Sequence, residues 1–271
     1  MTQYQQFFLE HEAAFRLACF IVLLLLFLVL ERIWPRRLPD KNNRLRRLNN
    51  IVLLGINFLA ARFLVPLATY QLAIIASEKE IGLFNIVSVP LIVNVICTII
   101  IFDLLIYIQH VVFHKIEFFW RIHRVHHTDL EVDVTTAVRF HPFEIVMSLF
   151  YKLAAVYLVG PVAFAIVLYE ILLNGAALFT HSNILINEKV DTILRRVFVT
   201  PDMHQIHHSV VKRETDSNYG NILSFWDRIF RTYRHRPEAG YDNMDIGLNE
   251  FRDIASGQCL QLLINPFTTS K

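Results

Sequence analysis

From Ala13 to Trp34 the chain reads AAFRLACFIVLLLLFLVLERIW, about twenty near-continuous apolar residues. At 1.5 Å per helical residue such a run matches a bilayer hydrocarbon core of roughly 30 Å. Inside that core every backbone N–H and C=O must be paired within the segment, so the run is a membrane helix. It is longer than the apolar part of a secretory signal, shows no small-residue cleavage site and ends in an arginine-rich stop. It therefore reads as a retained anchor. Further apolar stretches follow at roughly Ile51–Ala76 and Ile86–Ile108, then Phe143–Val159 and Val162–Phe179. Gly160-Pro161 separates the last two and predicts a tight turn, so that pair reads as a helical hairpin. The expectation is an all-α integral membrane protein with about five membrane-embedded helices, one hairpin among them.

Composition excludes other classes. With 22 Phe, 54% hydrophobic and only 18% charged residues, and a mean hydropathy of +0.41, an ordinary soluble fold is ruled out. A net charge of +2 with no basic stripe argues against nucleic acid. Cys19, Cys97 and Cys259 form no CxxC pair and no disulfide framework. Three regions are expected: residues 1–82 with the first helices and a basic loop, 83–235 as a catalytic domain, and 236–271 as a tail. Within the tail, Leu248–Leu263 reads as an interfacial helix.

Loop charge sets the orientation. ERIWPRRLPDKNNRLRR after the first helix holds seven Lys/Arg, whereas SEKEIG in the next loop holds one Lys and two Glu. Cytoplasmic loops carry the Lys/Arg excess, so the arginine-rich loop is expected inside the cell. Counting crossings from there, everything between His110 and His208 outside the hairpin falls at the cytoplasmic face, as a helical cap.

That cap is rich in histidine. The chain has 12 histidines, and eight lie in three boxes: HVVFH (His110, His114), HRVHH (His123, His126, His127) and HQIHH (His204, His207, His208). Residues three and four apart share a helix face, so each triple projects its imidazoles into a sector of about 100°. Neutral imidazole suits iron, zinc, copper or nickel. One H-x-x-x-H alone carries little weight. Two H-x-x-H-H boxes brought to one membrane face carry much more, and eight histidines are too many for one ion and about right for two. A bis-histidine haem protein would place single histidines on facing helices near the bilayer centre. A zinc hydrolase would show H-E-x-x-H, which is absent. A metal transporter would spread its ligands through several spans.

The order of the boxes resembles the fatty acid hydroxylase / sterol desaturase superfamily of membrane-bound, histidine-rich oxygenases. The likeness covers roughly Asp103–Tyr233 and includes RFHP (Arg139–Pro142), HSN (His181–Asn183) and NYGNILSFWDRIFRTY (Asn218–Tyr233). In that last stretch Arg231 stands where the family pattern has glycine. The resemblance implies a non-haem centre of two iron ions with O2 as co-substrate. His110, His114, His123, His126, His127, His204, His207 and His208 would be its ligands, and His181 a ninth. It implies hydroxylation, or alternatively desaturation, of a C–H bond in a lipid such as a fatty acyl chain or sterol. No nucleotide fold or iron–sulfur pattern is visible, so electrons are expected from a separate ferredoxin, cytochrome b5-like protein or reductase, docking near Arg32–Arg47. The membrane would be a bacterial cytoplasmic membrane, or the endoplasmic reticulum in a eukaryote, with the site facing the cytoplasm.

Several other residues are candidates for supporting roles. His141, before a proline at a helix start, is open between a ligand, a partner of a ligand and a helix-start residue. Asp103, seven residues before His110, is a candidate partner of a ligand, with Arg62 as a rival contact, and Asn183 flanks His181. Asp129, Asp133 and Asp227 also flank the boxes, and Asp202 after Thr200-Pro201 reads as a helix-start residue. Lys152 and Glu170 lie at similar depth on either side of the Gly160-Pro161 turn, so they are expected to pair, with Asn174 one turn on. His11 and His235 fall outside the constellation.

Overall fold

Proline and glycine punctuate the apolar runs, and the computed structural model, which describes residues 3–39, 43–253 and 257–268, follows that punctuation closely. A short helix α1 (Gln3–Glu10) leads into α2 (Glu12–Ile33). The second run is not one helix. It divides into α3 (Asn43–Leu64) and α4 (Thr69–Glu78), where a single span over Ile51–Ala76 was expected. Pro66 is the cause, because a proline inside a helix removes an N–H and clashes with the carbonyl four residues back, at about 3 kcal/mol or more. After the short α5 (Leu83–Ile86), Pro90 caps α6 (Leu91–Lys115). That helix runs about two turns beyond the apolar stretch, and so carries His110 and His114 with it. Helix α7 (Glu117–His127) holds HRVHH, and a 3-10 turn (Val134–Val138) leads to the hairpin of α8 (Pro142–Val159) and α9 (Ala163–His181). The cap is completed by α10 (Glu188–Leu194), α11 (Pro201–His207), α12 (Lys212–Thr215) and α13 (Phe225–Ile229). Among the described residues there is no β-sheet. Five helical stretches among the described residues are long and apolar enough to cross a membrane, with α3 to α5 counted as one.

The hairpin turn shows why glycine is required there. Gly160 ends α8 in the left-handed conformation, with φ 66°, and packs on Gly82, with φ 94°. A Cβ on Gly82 would lie 2.5 Å from the Gly160 backbone nitrogen, so neither position admits a side chain. This contact closes one end of the bundle. The other end gathers the C-termini of α6 and α9, the N-terminus of α8 and the whole histidine cap.

Charged groups lock that cap in place. Arg46 and Arg47 of the basic segment pair with Asp133, and Arg46 Nη1 also reaches Asp129 at 2.9 Å. Burial alone would push the Asp133 carboxyl up, but these two guanidiniums hold it below its usual range. Arg36 pairs with Asp202 and Asp242, and Arg37 binds Asn183 and the Tyr241 carbonyl. Four arginines of the basic loop thus have internal partners. Arg139, fully buried, donates to the Val125 carbonyl, Asn50 Oδ1 and Thr128 Oγ1 and pins the end of α7 to α3.

The tail packs on the same end. A 3-10 turn (Asn249–Phe251) and α14 (Cys259–Ile264) stand where one helix over Leu248–Leu263 was expected, and residues 254–256 lie outside the described residues. Asn265 and Thr268 accept hydrogen bonds from Arg124.

Arg231 has a backbone explanation. Helix α13 ends in a paired-bond cap: Thr232 N–H reaches the Asp227 carbonyl at 2.7 Å and Arg231 N–H the Arg228 carbonyl at 3.3 Å. That geometry needs a left-handed residue after the cap, and Arg231 adopts it with φ 61°. The turn keeps a shape suited to glycine although an exposed arginine fills it. Replacing Arg231 with Gly is expected to raise stability by about 1 kcal/mol, read as a higher midpoint of thermal unfolding in detergent, while Arg231→Val lowers it.

Candidate metal centre

Nine histidines converge at the end of the bundle opposite the Gly82–Gly160 contact. They fall into two groups, in each of which the ligand atoms lie within 4.8 Å of one another. The first is His110, His114, His123, His127 and His207. The second is His126, His181, His204 and His208. Each box contributes according to its helix. The i, i+4 pair on α6 supplies one group, whereas the two triples are each split: His126 of HRVHH and His207 of HQIHH point to different groups from their neighbours. The groups adjoin, with the rings of His127 and His208 stacked at 4.6 Å.

The hydrogen bonds of these rings bear directly on what the site can hold. His110 Nδ1–H donates to the Tyr219 carbonyl at 2.8 Å, His207 to the Ser217 carbonyl at 2.7 Å, and His181 to the Ala177 carbonyl at 2.7 Å. His123 donates to Glu144 Oε1 at 2.7 Å and His126 to the Arg139 carbonyl at 3.3 Å. A ring that donates through Nδ1 in its neutral form carries a lone pair on Nε2. Yet His126 Nε2 and His181 Nε2, on two rings that donate through Nδ1, lie 3.0 Å apart, and His204 Nε2 also approaches His181 Nε2 to 3.0 Å. Lone pairs that face each other at this distance repel, and a cation between them removes the repulsion. Two nitrogens bound at about 2.1 Å and at a right angle to one ion would be separated by about 3.0 Å. In the first group, His110 Nε2, His123 Nε2 and His207 Nε2 are buried with no partner at all. The donor set fits two metal ions.

Protonation is suppressed. Burial, and then the neighbouring imidazoles, hold His126, His127, His204 and His208 well below the usual histidine value of 6.5, and burial takes His207 down to about 3. Neutral rings are what metal coordination requires.

The supporting residues differ from several expectations. His141 is not among the converging nitrogens. Its Nδ1 accepts from Phe143 N–H and caps α8, and its Nε2–H donates to the Leu263 carbonyl, so its role is that of a helix-start residue. Asp103 touches neither a histidine nor Arg62. Its carboxylate accepts from Ile222 N–H, Leu223 N–H and Trp226 Nε1, and so braces the loop that presents the Tyr219 carbonyl to His110. Asp227 braces the same loop through Tyr219 N–H and Gly220 N–H. Asn183 exchanges two hydrogen bonds with the Arg37 backbone rather than binding a histidine. Asp202 lies in the first turn of α11 and pairs with Arg36. His11 lies against the Phe7 ring at a tilt, and His235 is exposed in the cap.

Glu144 is the residue that sequence reasoning missed. An acidic residue in the first turn of an apolar span, three positions after His141, is the signal that marked it. In the hairpin, Lys152 Nζ lies 3.1 Å from Glu170 Oε1, and Arg16 and Thr69 complete the neighbourhood of Glu170.

A cavity of about 400 Å³ runs from the histidines into the bundle. His110 and His123 of one group and His126, His181 and His204 of the other form its end. Phe20, Phe58, Ile106, Phe113, Phe140 and Leu173 supply apolar wall, and Lys152 and Asn174 also line it. Phe58 is 67% exposed on the outside of the bundle, so the wall reaches the lipid-facing surface.

The family model described as fatty acid hydroxylase matches residues 95–232, about half the chain. An ornithine lipid hydroxylase of Rhizobium tropici is 27% identical over 66% of this chain and 52% of its own length. Alkylglycerol monooxygenase of Homo sapiens is 28% identical over 54% of this chain and 32% of its own, and that of Caenorhabditis elegans 29% over 48% and 25%. The chain therefore spans about half, or less, of the curated relatives it matches. No solved structure matches it.

The contrast between ligand-like and capping histidines is testable by metal analysis. His181→Ala is expected to lower the metal content of the purified protein. His141→Ala is expected to leave it unchanged while costing about 1 kcal/mol of stability through the lost cap.

Proposed function

The chain belongs to the fatty acid hydroxylase family, and from that premise we propose that it is an integral-membrane oxidoreductase that hydroxylates a C–H bond of a lipid with O2 and two iron ions. His110, His114, His123, His127 and His207 would hold one ion, and His126, His181, His204 and His208 the other. The observation that carries this reading is the apolar cavity ending on histidines of both groups, since it offers a hydrocarbon chain a path to the metal edge. Nine imidazoles packed this closely leave no room for a porphyrin between them, which counts against a bis-histidine haem.

The chemistry that the two ions supply when bound is reductive activation of dioxygen, with RH, O2, two electrons and two protons giving ROH and water. The protein's own part is positional. Carbonyls of Ala177, Arg139, Ser217 and Tyr219, with Glu144, fix the tautomer and angle of five rings. Orienting partners of this kind typically contribute 10- to 100-fold, roughly, to metal affinity or activity. Phe113, Phe140 and Leu173 exclude water and align the lipid. Electrons come from a separate ferredoxin, cytochrome b5-like protein or reductase. The arginine-rich loop sits at the histidine end of the bundle, which supports a site on the cytoplasmic side of a bacterial cytoplasmic membrane, or of the endoplasmic reticulum.

Purified protein is expected to carry about two irons per chain with no haem absorbance, and to give a +16 product when supplied with O2, a reduced ferredoxin and lipid extract. A −2 product would make the reaction a desaturation. One zinc per chain, or no mass shift with iron intact and a competent donor, overturns the proposal.

A further inference from the structure

The wall of the cavity beside the histidines contains oxygen atoms that the protein leaves unmet. Glu144 is 6% exposed; its Oε1 receives His123 Nδ1–H, and its Oε2 is buried with no partner. Asn57 is 4% exposed; its Nδ2 donates to the Phe140 carbonyl at 2.8 Å, which fixes the amide and leaves Oδ1 buried and unpartnered. Gln109, whose Nε2 is engaged by Ser148 Oγ, adds a third such oxygen, Oε1. All three side chains line the cavity. Buried acceptors without donors are rare and costly, more so for a carboxylate.

The other charged group on the cavity wall behaves differently. Lys152 and Thr69 donate to Glu170 Oε1, and Arg16 Nη1 lies 3.1 Å from Oε2 as an ion pair, so the charge of that cluster is balanced from within. The unmet atoms lie instead at the histidine end. Glu144 touches His123 directly, and the ring of Phe140, whose carbonyl anchors Asn57, stacks on His126 with 4.5 Å between centroids. What these oxygens lack among the protein's own groups is a hydrogen-bond donor, and a donor on the occupant of the cavity would meet them.

We propose that the lipid accepted by this cavity carries a hydroxyl or amine N–H within a few bonds of the carbon presented to the histidines, received by Glu144 Oε2 and Asn57 Oδ1. The inference rests on the reading of the site as a lipid hydroxylase and narrows its substrate class. An unsubstituted hydrocarbon, or a lipid whose hydroxyls are etherified, would bury both oxygens without partners. A site built to bond such a group discriminates strongly against an analogue that lacks it.

The test compares binding of hexadecane-1,2-diol and its dimethyl ether to the iron-loaded protein in detergent, measured by calorimetry, with product masses followed in parallel. The diol is expected to bind about tenfold or more tightly than the ether. In Glu144→Gln the amide oxygen still receives His123 Nδ1–H while an NH2 faces the cavity, so iron is retained and the preference collapses. Asn57→Leu, which leaves every histidine contact in place, is expected to weaken the preference independently and decides the matter if Glu144→Gln loses iron. Equal affinities in the unmodified protein, or a preference untouched by Asn57→Leu and by an iron-retaining Glu144→Gln, overturn the inference. Equal affinities with a +16 product from lipid extract would overturn it alone. A clear diol preference with no oxidation of any lipid would keep the acceptor site and remove the hydroxylase reading.

Discussion

The arrangement at the heart of this protein depends on one kind of hydrogen bond, from histidine Nδ1–H to a fixed oxygen. Each such bond decides a tautomer, and each tautomer points a lone pair inward. Repeated over five rings, this creates a site whose nitrogens repel one another unless a cation lies between them. The oxygens responsible are mostly backbone carbonyls, at Ala177, Arg139, Ser217 and Tyr219. They are therefore set by the fold and not by side-chain identity. Everything that holds those carbonyls still contributes to the centre at one remove.

Much of the cap can be understood this way. Asp103 and Asp227 grip a loop that would otherwise be free to move Tyr219, and Arg139 anchors the end of α7 to α3. Arg46 and Arg47 tie the basic segment to Asp129 and Asp133, beside HRVHH. These groups reside at the rim of an apolar bundle, where unpaired charges are expensive, and they are paired. A positive loop that sequence rules assign to membrane orientation is also a structural clamp.

The membrane part has a complementary logic. Its helices carry few polar groups, and several of them are ion-paired, as in the cluster around Glu170, or face the cavity. Along the cavity wall, the oxygens of Asn57, Gln109 and Glu144 lack protein partners. That distribution separates groups that hold the bundle together from groups left available to a bound molecule.

Sequence alone was enough for the helical membrane architecture, because a bilayer demands long apolar runs and histidine spacing is local to a helix. It also named all nine converging histidines, although the ninth, His181, came through a family likeness and not through spacing. The break at Pro66 was visible as a proline but was smoothed over by the hydropathy on either side. The tertiary structure decided how the boxes are divided, since His126 and His207 join groups that no linear pattern predicts. It also removed His141, Asp103 and Asn183 from the centre and brought in Glu144, whose partner His123 sits on a different helix 21 residues earlier, while Asp103 and Asn183 bind groups more than a hundred residues away. A helix face can be read from a spacing of three and four residues; the direction of a lone pair depends on which distant carbonyl packs against the other side of the ring.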